Sequence, residues 1–250
     1  MPGMVLGLLK PIHQRLVRPI YLHLRYIGSR WTDRMYGITT ADESVDRALG
    51  WKTGYCRRVH RALPFTWINR IMRRLDPGPG DALLDIGCGA GRVICVAAKC
   101  PMARIIGIDL DERVSALAER NARSLRRFRT RPEVVCTDAT RFHVPEEISI
   151  IFMNNPFDGD VLKAALARII ESFDRAPRRI RIVYANPRCH DVFTATGRLR
   201  HTGLLRMSWR PGADWNRTQT VRLYEVEPPV SLPARQSRTD AAQAATVAVP

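Results

Sequence analysis

The stretch Ala82-Leu83-Leu84-Asp85-Ile86-Gly87-Cys88-Gly89-Ala90-Gly91-Arg92 constrains this chain more than any other. A short apolar run ends in an acid, three glycines follow at alternate positions, and an apolar helical pattern begins at Val93. That order reads as a buried strand, a tight turn and the start of a helix. Glycine suits such a turn because it reaches backbone conformations that other residues avoid and lets a ligand approach the main chain. The dinucleotide fingerprint G-x-G-x-x-G, counted from Gly87, would need glycine at position 92, which is Arg92. The spacing is D-x-G-x-G-x-G instead.

Three further strand-like runs end in polar residues. Residues 104–109 end at Asp109, which lies twenty positions beyond Gly89, where a carboxylate can accept hydrogen bonds from a ribose diol. Residues 133–137 are followed by Asp138, and residues 148–153 by Asn154-Asn155-Pro156-Phe157. Polar groups at successive strand ends define one ligand-binding edge of an open α/β sheet. The alternation continues as helices over 90–99, 111–127 and 158–173, a strand over 179–185, a short helix over 187–195, and strands near 203–209 and 219–226 joined by a Pro211-Gly212 turn. The expected fold class is α/β: an open, doubly wound, mostly parallel seven-stranded sheet with an antiparallel last strand and an N-terminal helical extension.

The D-x-G-x-G-x-G turn with Asp109 and the strand-end residues resembles the class I S-adenosylmethionine (SAM) methyltransferases over residues 80–226. The overall pattern is similar to bacterial stand-alone members of unassigned substrate. The resemblance implies SAM as cofactor and methyl transfer as activity. It assigns cofactor contacts to Asp85, Gly87, Cys88, Gly89 and Gly91 in the turn, to Asp109 at the ribose, to the adjoining Leu110, to Asp138 and Ala139 at the adenine ring, and to Asn154. Asp85 orders the turn and helps hold the amino acid moiety. A helix N-cap is the competing role for Asp109, and a turn cap the competing role for Asp138.

Asn154-Asn155-Pro156-Phe157 is similar to the N-P-P-[YF] motif of methyltransferases acting on planar or amide nitrogens, which makes Asn154, Pro156 and Phe157 the catalytic candidates. In that motif the first amide accepts hydrogens of the target amine and the aromatic stacks on the substrate. Asn155 stands where the motif has its first proline, so the turn is less rigid. Asn-Asn-x-aromatic also resembles the non-SET histone-lysine methyltransferases, so a lysine or arginine acceptor stays open, as does simple helix capping by both asparagines. A nitrogen target must also lose a proton. Asp158, Asp160 and His143 are the candidate bases, and none stands out. Tyr184 and Asn186 end the fifth strand near the same edge.

Composition bounds the rest. The 250 residues suit one domain with short additions, 45% of them hydrophobic. A net charge of +16 favours acidic partners. Lys10, Lys52, Lys99 and Lys163 are the only lysines, so the charge is nearly all arginine and can equally reflect genome composition. Arginine clusters at 123–131 and 178–181 lack interleaved aromatics, which argues against a base-stacking platform. The six cysteines form no C-x-x-C pair and no zinc spacing, so no metal and a reduced, cytoplasmic setting are expected.

Residues 1–30 form a basic amphipathic extension, with Leu9, Ile12, Leu16, Ile20, Leu24 and Ile27 at helical spacing among arginines, interrupted by Pro11 and Pro19. It is no secretory signal, and peripheral contact of residues 4–30 with the inner membrane face is one expectation. Residues 31–80 form a helical cap region: a loop over 31–40 whose segment Tyr36 to Thr40 serves as a lid by the resemblance, a short helix over 42–49 and a longer one over 59–75. Residues 81–227 form the SAM-binding unit and 228–250 a disordered tail. The leading expectation is methylation of a nitrogen in a protein or nucleic acid. The alternatives are a small or lipid-like acceptor at a membrane surface, and a non-catalytic SAM- or nucleic-acid-binding protein.

Overall fold

The computed structural model describes residues 18–50, 62–157, 159–207 and 220–229. Three helices come first: α1 (Arg18–Tyr36), α2 (Asp42–Leu49) and α3 (Phe65–Leu75). The alternating part follows as β1 (Ala82–Ile86), α4 (Arg92–Ala97), β2 (Arg104–Asp109), α5 (Glu112–Ser124), β3 (Glu133–Cys136), β4 (Ile150–Met153), α6 (Gly159–Arg175), β5 (Arg181–Ala185), α7 (His190–Ala195), β6 (Leu199–Arg206) and β7 (Thr220–Val226).

The seven strands form one sheet in the order β3-β2-β1-β4-β5-β7-β6. β1 pairs in parallel with β2 and β4, and β7 runs antiparallel to both β5 and β6. This is the expected fold class. β1 and β4 are buried along their whole length, as central parallel strands covered on both faces must be. One face packs Leu83, Ile105, Phe152 and Val183 against α3 and α4, and the other packs Leu84, Ile106, Ile151 and Ile182 against α6. α3 is built for this: Phe65, Ile68, Ile71, Met72 and Leu75 share its buried side.

The order of the strands reverses between β1 and β4, because the chain leaves β1 first toward β2 and β3 and only then returns to the other side. In open α/β sheets the crevice beyond the strand ends at such a reversal is where ligands bind. Asp85 sits there, paired with Gly107 on β2 and Phe152 on β4.

Several element boundaries differ from the sequence reading. Residues 31–36 belong to α1 and not to a loop. α3 begins at Phe65, directly after Pro64, and residues 51–61 lie outside the described residues. α4 begins at Arg92 because Gly91, at φ +82°, stands outside the helix. β6 begins at Leu199, earlier than expected, and the turn expected at 211–216 lies outside the described residues, as do residues 1–17 and the tail from 230 onward. Among the described residues no helix is long and apolar enough to cross a membrane.

Many arginines are structural. Arg178 donates to the carbonyls of Pro145, Ile148, Ser172 and Ala176, closing the C-terminal end of α6 onto the sheet. Arg104 bridges Glu133 and Glu147, and Arg181 bridges Asp81 and the Leu75 carbonyl.

Candidate functional site

The loops after β1, β2, β3, β4 and β5 surround a cleft of about 1160 Å³. Asp85, Gly87, Cys88, Gly89, Asp109, Leu110, Asp138, Ala139, Asn154, Pro156 and Phe157 all line it. Gly91 does not, since it ends the turn as the residue capping α4. Asn186 lines the cleft, whereas Tyr184 is buried and does not.

The glycine turn is held by three hydrogen bonds to the end of β2. The amides of Gly87 and Cys88 both donate to the Ile108 carbonyl at 2.9 Å, and the Gly89 amide donates to Asp109 Oδ2 at 2.9 Å. Gly87 has φ +75°, and a Cβ there would stand 2.6 Å from Pro156 Cβ. Gly89 has φ +55°, and a Cβ there would meet nothing within 4 Å. The two glycines therefore serve different ends, one letting the loops after β1 and β4 touch, the other leaving room over the turn. Gly87→Ala is expected to destabilise the fold by about 2–4 kcal/mol, from left-handed strain plus overpacking, whereas Gly89→Ala is expected to lose only about 1 kcal/mol. Thermal melts of the two variants check this ordering.

Asp85 is only 2% exposed, and among the described residues its Oδ2 has no hydrogen-bond partner. Burial, and then the neighbouring charge of Asp109, push its carboxyl well above the usual range. A buried unpartnered carboxylate oxygen at the base of a cleft is a receptor for a cationic group. Burial also pushes the Cys88 thiol well up, so it is an unreactive wall. Asp109 accepts from the Gly89 and Asp111 amides, and α5 is capped by Asp111, whose Oδ1 takes the amides of Arg113 and Val114. The capping alternative for Asp109 is thus corrected: Asp111 does that work. Asp138 Oδ1 takes both the amide and the hydroxyl of Thr140 at 2.8 Å, which holds its carboxyl below the usual range. Its turn-capping role is real, and it lines the cleft as well.

At the β4 end, Asn154 Oδ1 accepts from Asn186 Nδ2 at 2.8 Å, and Asn155 Oδ1 accepts from the Tyr184 hydroxyl at 2.9 Å. Asn155 and Asn186 both have positive φ, at 46° and 50°, a conformation asparagine tolerates better than most residues. Asn155 therefore makes its turn through this backbone conformation and the Tyr184 bond. Phe157 lines the cleft while also packing on the core. Of the candidate bases, Asp160 pairs with Lys163, His143 contacts Arg175, and neither lines the cleft; Asp158 lies outside the described residues. Among the described residues no group of His, Cys, Asp and Glu could hold a metal ion.

Sequence reasoning missed the groups that fasten the N-terminal helices to the cleft. Asp33 accepts from the Thr40 amide, the Thr40 hydroxyl and the Ala41 amide. Arg92 donates to Thr40 Oγ1 at 2.8 Å, to the Thr40 carbonyl at 2.7 Å and to the Leu63 carbonyl at 2.9 Å, and lies 4.7 Å over the Phe65 ring. Asn121 on α5 exchanges bonds with both backbone groups of Thr39 and donates to the Ala90 carbonyl in the glycine turn. Of the expected lid, Tyr36, Ile38 and Thr40 are buried, and only Thr40 lines the cleft. It is a fastened wall and not an exposed flap.

Comparison with known proteins agrees with this geometry. Residues 83–176 match the family described as the methyltransferase domain. The chain is 40% identical over 78 residues to the ribosomal protein L11 methyltransferase of Burkholderia mallei (strain NCTC 10229), covering 31% of this chain and 24% of that protein. It is 37% identical over 65 residues to the 23S rRNA (uracil(1939)-C(5))-methyltransferase RlmD of Acidithiobacillus ferrooxidans, covering 26% of this chain and 14% of that protein. The chain thus spans a quarter or less of the length of these two curated relatives. The structure of magnesium protoporphyrin IX methyltransferase (ChlM) from Synechocystis PCC 6803 with bound SAM superposes with a TM-score of 0.52 at 14% identity, covering 76% of this chain and 93% of that one, which shows a shared fold. Sheet order and glycine turn are those of the class I, SAM-dependent methyltransferase fold, and residues 83–176 are the part of the chain that matches the methyltransferase domain.

Proposed function

We propose that this chain transfers a methyl group from SAM to a nitrogen of a protein or nucleic acid. The observation that carries the cofactor reading is the unpartnered, buried Oδ2 of Asp85 at the foot of the glycine turn. An ammonium group is the chemistry it accepts, and the amino acid end of SAM has one. Asp109 offers its carboxylate to the ribose hydroxyls, and Leu110, 71% exposed at the cleft rim, offers an apolar surface to the adenine beside Asp138 and Ala139. SAM supplies a methyl group already activated on a sulfonium, so the chain's own work is orientation and exclusion of water.

Asn154 is the orienting residue. A carboxamide oxygen has two lone pairs. One takes the Asn186 hydrogen, which fixes the amide plane at the cleft wall, and in this reading an N–H of the acceptor approaches the same oxygen. An acceptor nitrogen so held presents its lone pair away from Asn154. Phe157 presents an aromatic surface to the acceptor from the same loop. Tyr184 does not serve as a base, because burial raises its pKa and its hydroxyl is committed to Asn155. The curated relatives named above act, by their names, on a ribosomal protein and on ribosomal RNA, which supports a macromolecular acceptor. In this reading residues 31–80 are the cap that encloses the cofactor held by residues 81–227.

The test is incubation of the protein with methyl-labelled SAM and cell lysate, followed by separation of protein, nucleic acid and lipid or small-molecule fractions. Label is expected in the protein or nucleic acid fraction. Asn154→Ala is expected to lower kcat about ten- to a hundredfold with little change in SAM affinity, and Asn186→Ala to lower it less. Label in the lipid or small-molecule fraction overturns the acceptor class. SAM binding with no label in any fraction favours a binding-only protein.

A further inference from the structure

α1 has two opposed sides. Tyr26, Asp33 and Tyr36 turn toward the rest of the chain: Asp33 and Tyr36 are buried, and Glu43 of α2 bonds to the Tyr26 hydroxyl. On the other side Leu24 is 63% exposed, Ile27 50%, Trp31 65% and Met35 55%. At roughly 100° per residue these four fall within about 80° of one another, in a stripe about 16 Å long. They are four of the eight large apolar residues that stand exposed among the described residues, and the only helix to carry more than one of them is α1. A scatter of single exposed apolar residues is ordinary, whereas an ordered stripe of this kind marks an interaction surface.

The charge around the stripe selects the partner. α1 carries Arg18, Arg25, Arg30 and Arg34 against one acid, Asp33, and that acid is turned inward and fully occupied by Thr40 and Ala41. Arg30 and Arg34 are exposed on one border of the stripe, and the helix positions of Arg18 and Arg25 fall on the other border. An apolar stripe bordered by arginines is what an interfacial helix presents to a bilayer: the apolar side chains enter the acyl boundary and the guanidinium groups reach outward to phosphates. A second copy of this chain would bring the same arginines against each other.

We propose that the Leu24, Ile27, Trp31 and Met35 face of α1 docks this protein on an anionic lipid surface. The docking does not depend on methyl transfer, because none of the four residues lines the cleft. The test is co-sedimentation of the full chain with vesicles of phosphatidylglycerol and phosphatidylcholine, against phosphatidylcholine alone, at low and high salt. Wild-type protein is expected to bind the anionic vesicles, and less so in high salt. Leu24→Glu with Trp31→Glu is expected to weaken binding at least about tenfold, and Arg30→Gln with Arg34→Gln to weaken it less while flattening the salt dependence. A thermal melt matching wild type shows that the variants fold. No binding to anionic vesicles, or equal binding by Leu24→Glu with Trp31→Glu, overturns the proposal. So does a concentration-dependent dimer lost in that variant without vesicle binding, which would assign the face to a second copy.

Discussion

Asp85→Asn is expected to make the ligand-free protein more stable and to weaken SAM binding about a hundredfold. The two effects have one cause. In the ligand-free fold the carboxylate is 2% exposed and its Oδ2 is unpartnered, so its charge is a desolvation penalty with no compensation. Asparagine has nearly the same shape and no charge to bury. The gain is at least about 1 kcal/mol, or roughly 2–4 °C in Tm for a chain of this size. In the proposed SAM site the same oxygen would face an ammonium group, and removing one partner of a desolvated charge pair costs about 2–5 kcal/mol.

The pH dependence gives this prediction a second readout. The carboxyl of Asp85 lies well above the ordinary value in the folded chain. A group whose folded pKa is raised contributes stability that is complete below its unfolded pKa, near 4, and is lost as pH rises through the folded pKa. The stability advantage of Asp85→Asn should therefore be largest at alkaline pH and shrink as pH falls toward about 4. SAM affinity is expected to run the other way, because in the proposed site the charged form would be the binding form. Wild-type affinity rises with pH and levels off above the Asp85 pKa, and the variant's profile is flatter. Melting curves and calorimetry across pH measure both. An Asp85→Asn protein that is less stable than wild type at every pH, with unchanged affinity, would sink the assignment.

The sheet and its ligand edge were legible because each rests on local pattern. β1 is a run of apolar residues ending in Asp85, and its partners repeat that form, since strands buried on both faces leave little choice of residue. Where an element is half exposed the pattern fades. β6 is such a case: Arg200, His201 and Thr202 are exposed on an edge strand, so its first turn of pairing with β7 is invisible to periodicity. The end of α1 was misread for a related reason, because Trp31 and Met35 are exposed and break the expected burial pattern. Most of the cleft lining followed from glycine spacing and strand ends. Its fastening did not, because Asn121 reaches Thr39 across 82 positions and Arg92 reaches Thr40 across 52, and nothing local marks such pairs. One signal was present: an arginine opening a helix opposes the helix dipole, and a residue that breaks a local rule needs a reason elsewhere.

That reason yields the second large effect. Arg92→Ala is expected to destabilise the protein by about 3–5 kcal/mol. Arg92 is 5% exposed and Asp33 4%, and between them stands the Thr40 hydroxyl, which donates to Asp33 Oδ1 and accepts from Arg92 Nε. The network is a buried charge pair relayed through one threonine. Truncating Arg92 removes the cation relayed to Asp33 through Thr40, orphans the carbonyls of Thr40 and Leu63, and removes the guanidinium from the Phe65 ring. Lysine should not rescue it, because a single ammonium cannot reproduce a fork that serves Thr40 twice and Leu63 once. If the relay is a unit, Arg92→Met combined with Asp33→Asn loses clearly less stability than the sum of the single changes, by about 1–3 kcal/mol. Strict additivity in that cycle would mean that the two charges act separately. The same cycle reports on function, because Arg92 follows Gly91 directly and Thr40 lines the cleft. Loosening the relay is therefore expected to lower SAM affinity even at temperatures where the sheet stays folded, whereas a cap that merely stabilises the chain would leave that affinity unchanged until the protein melts.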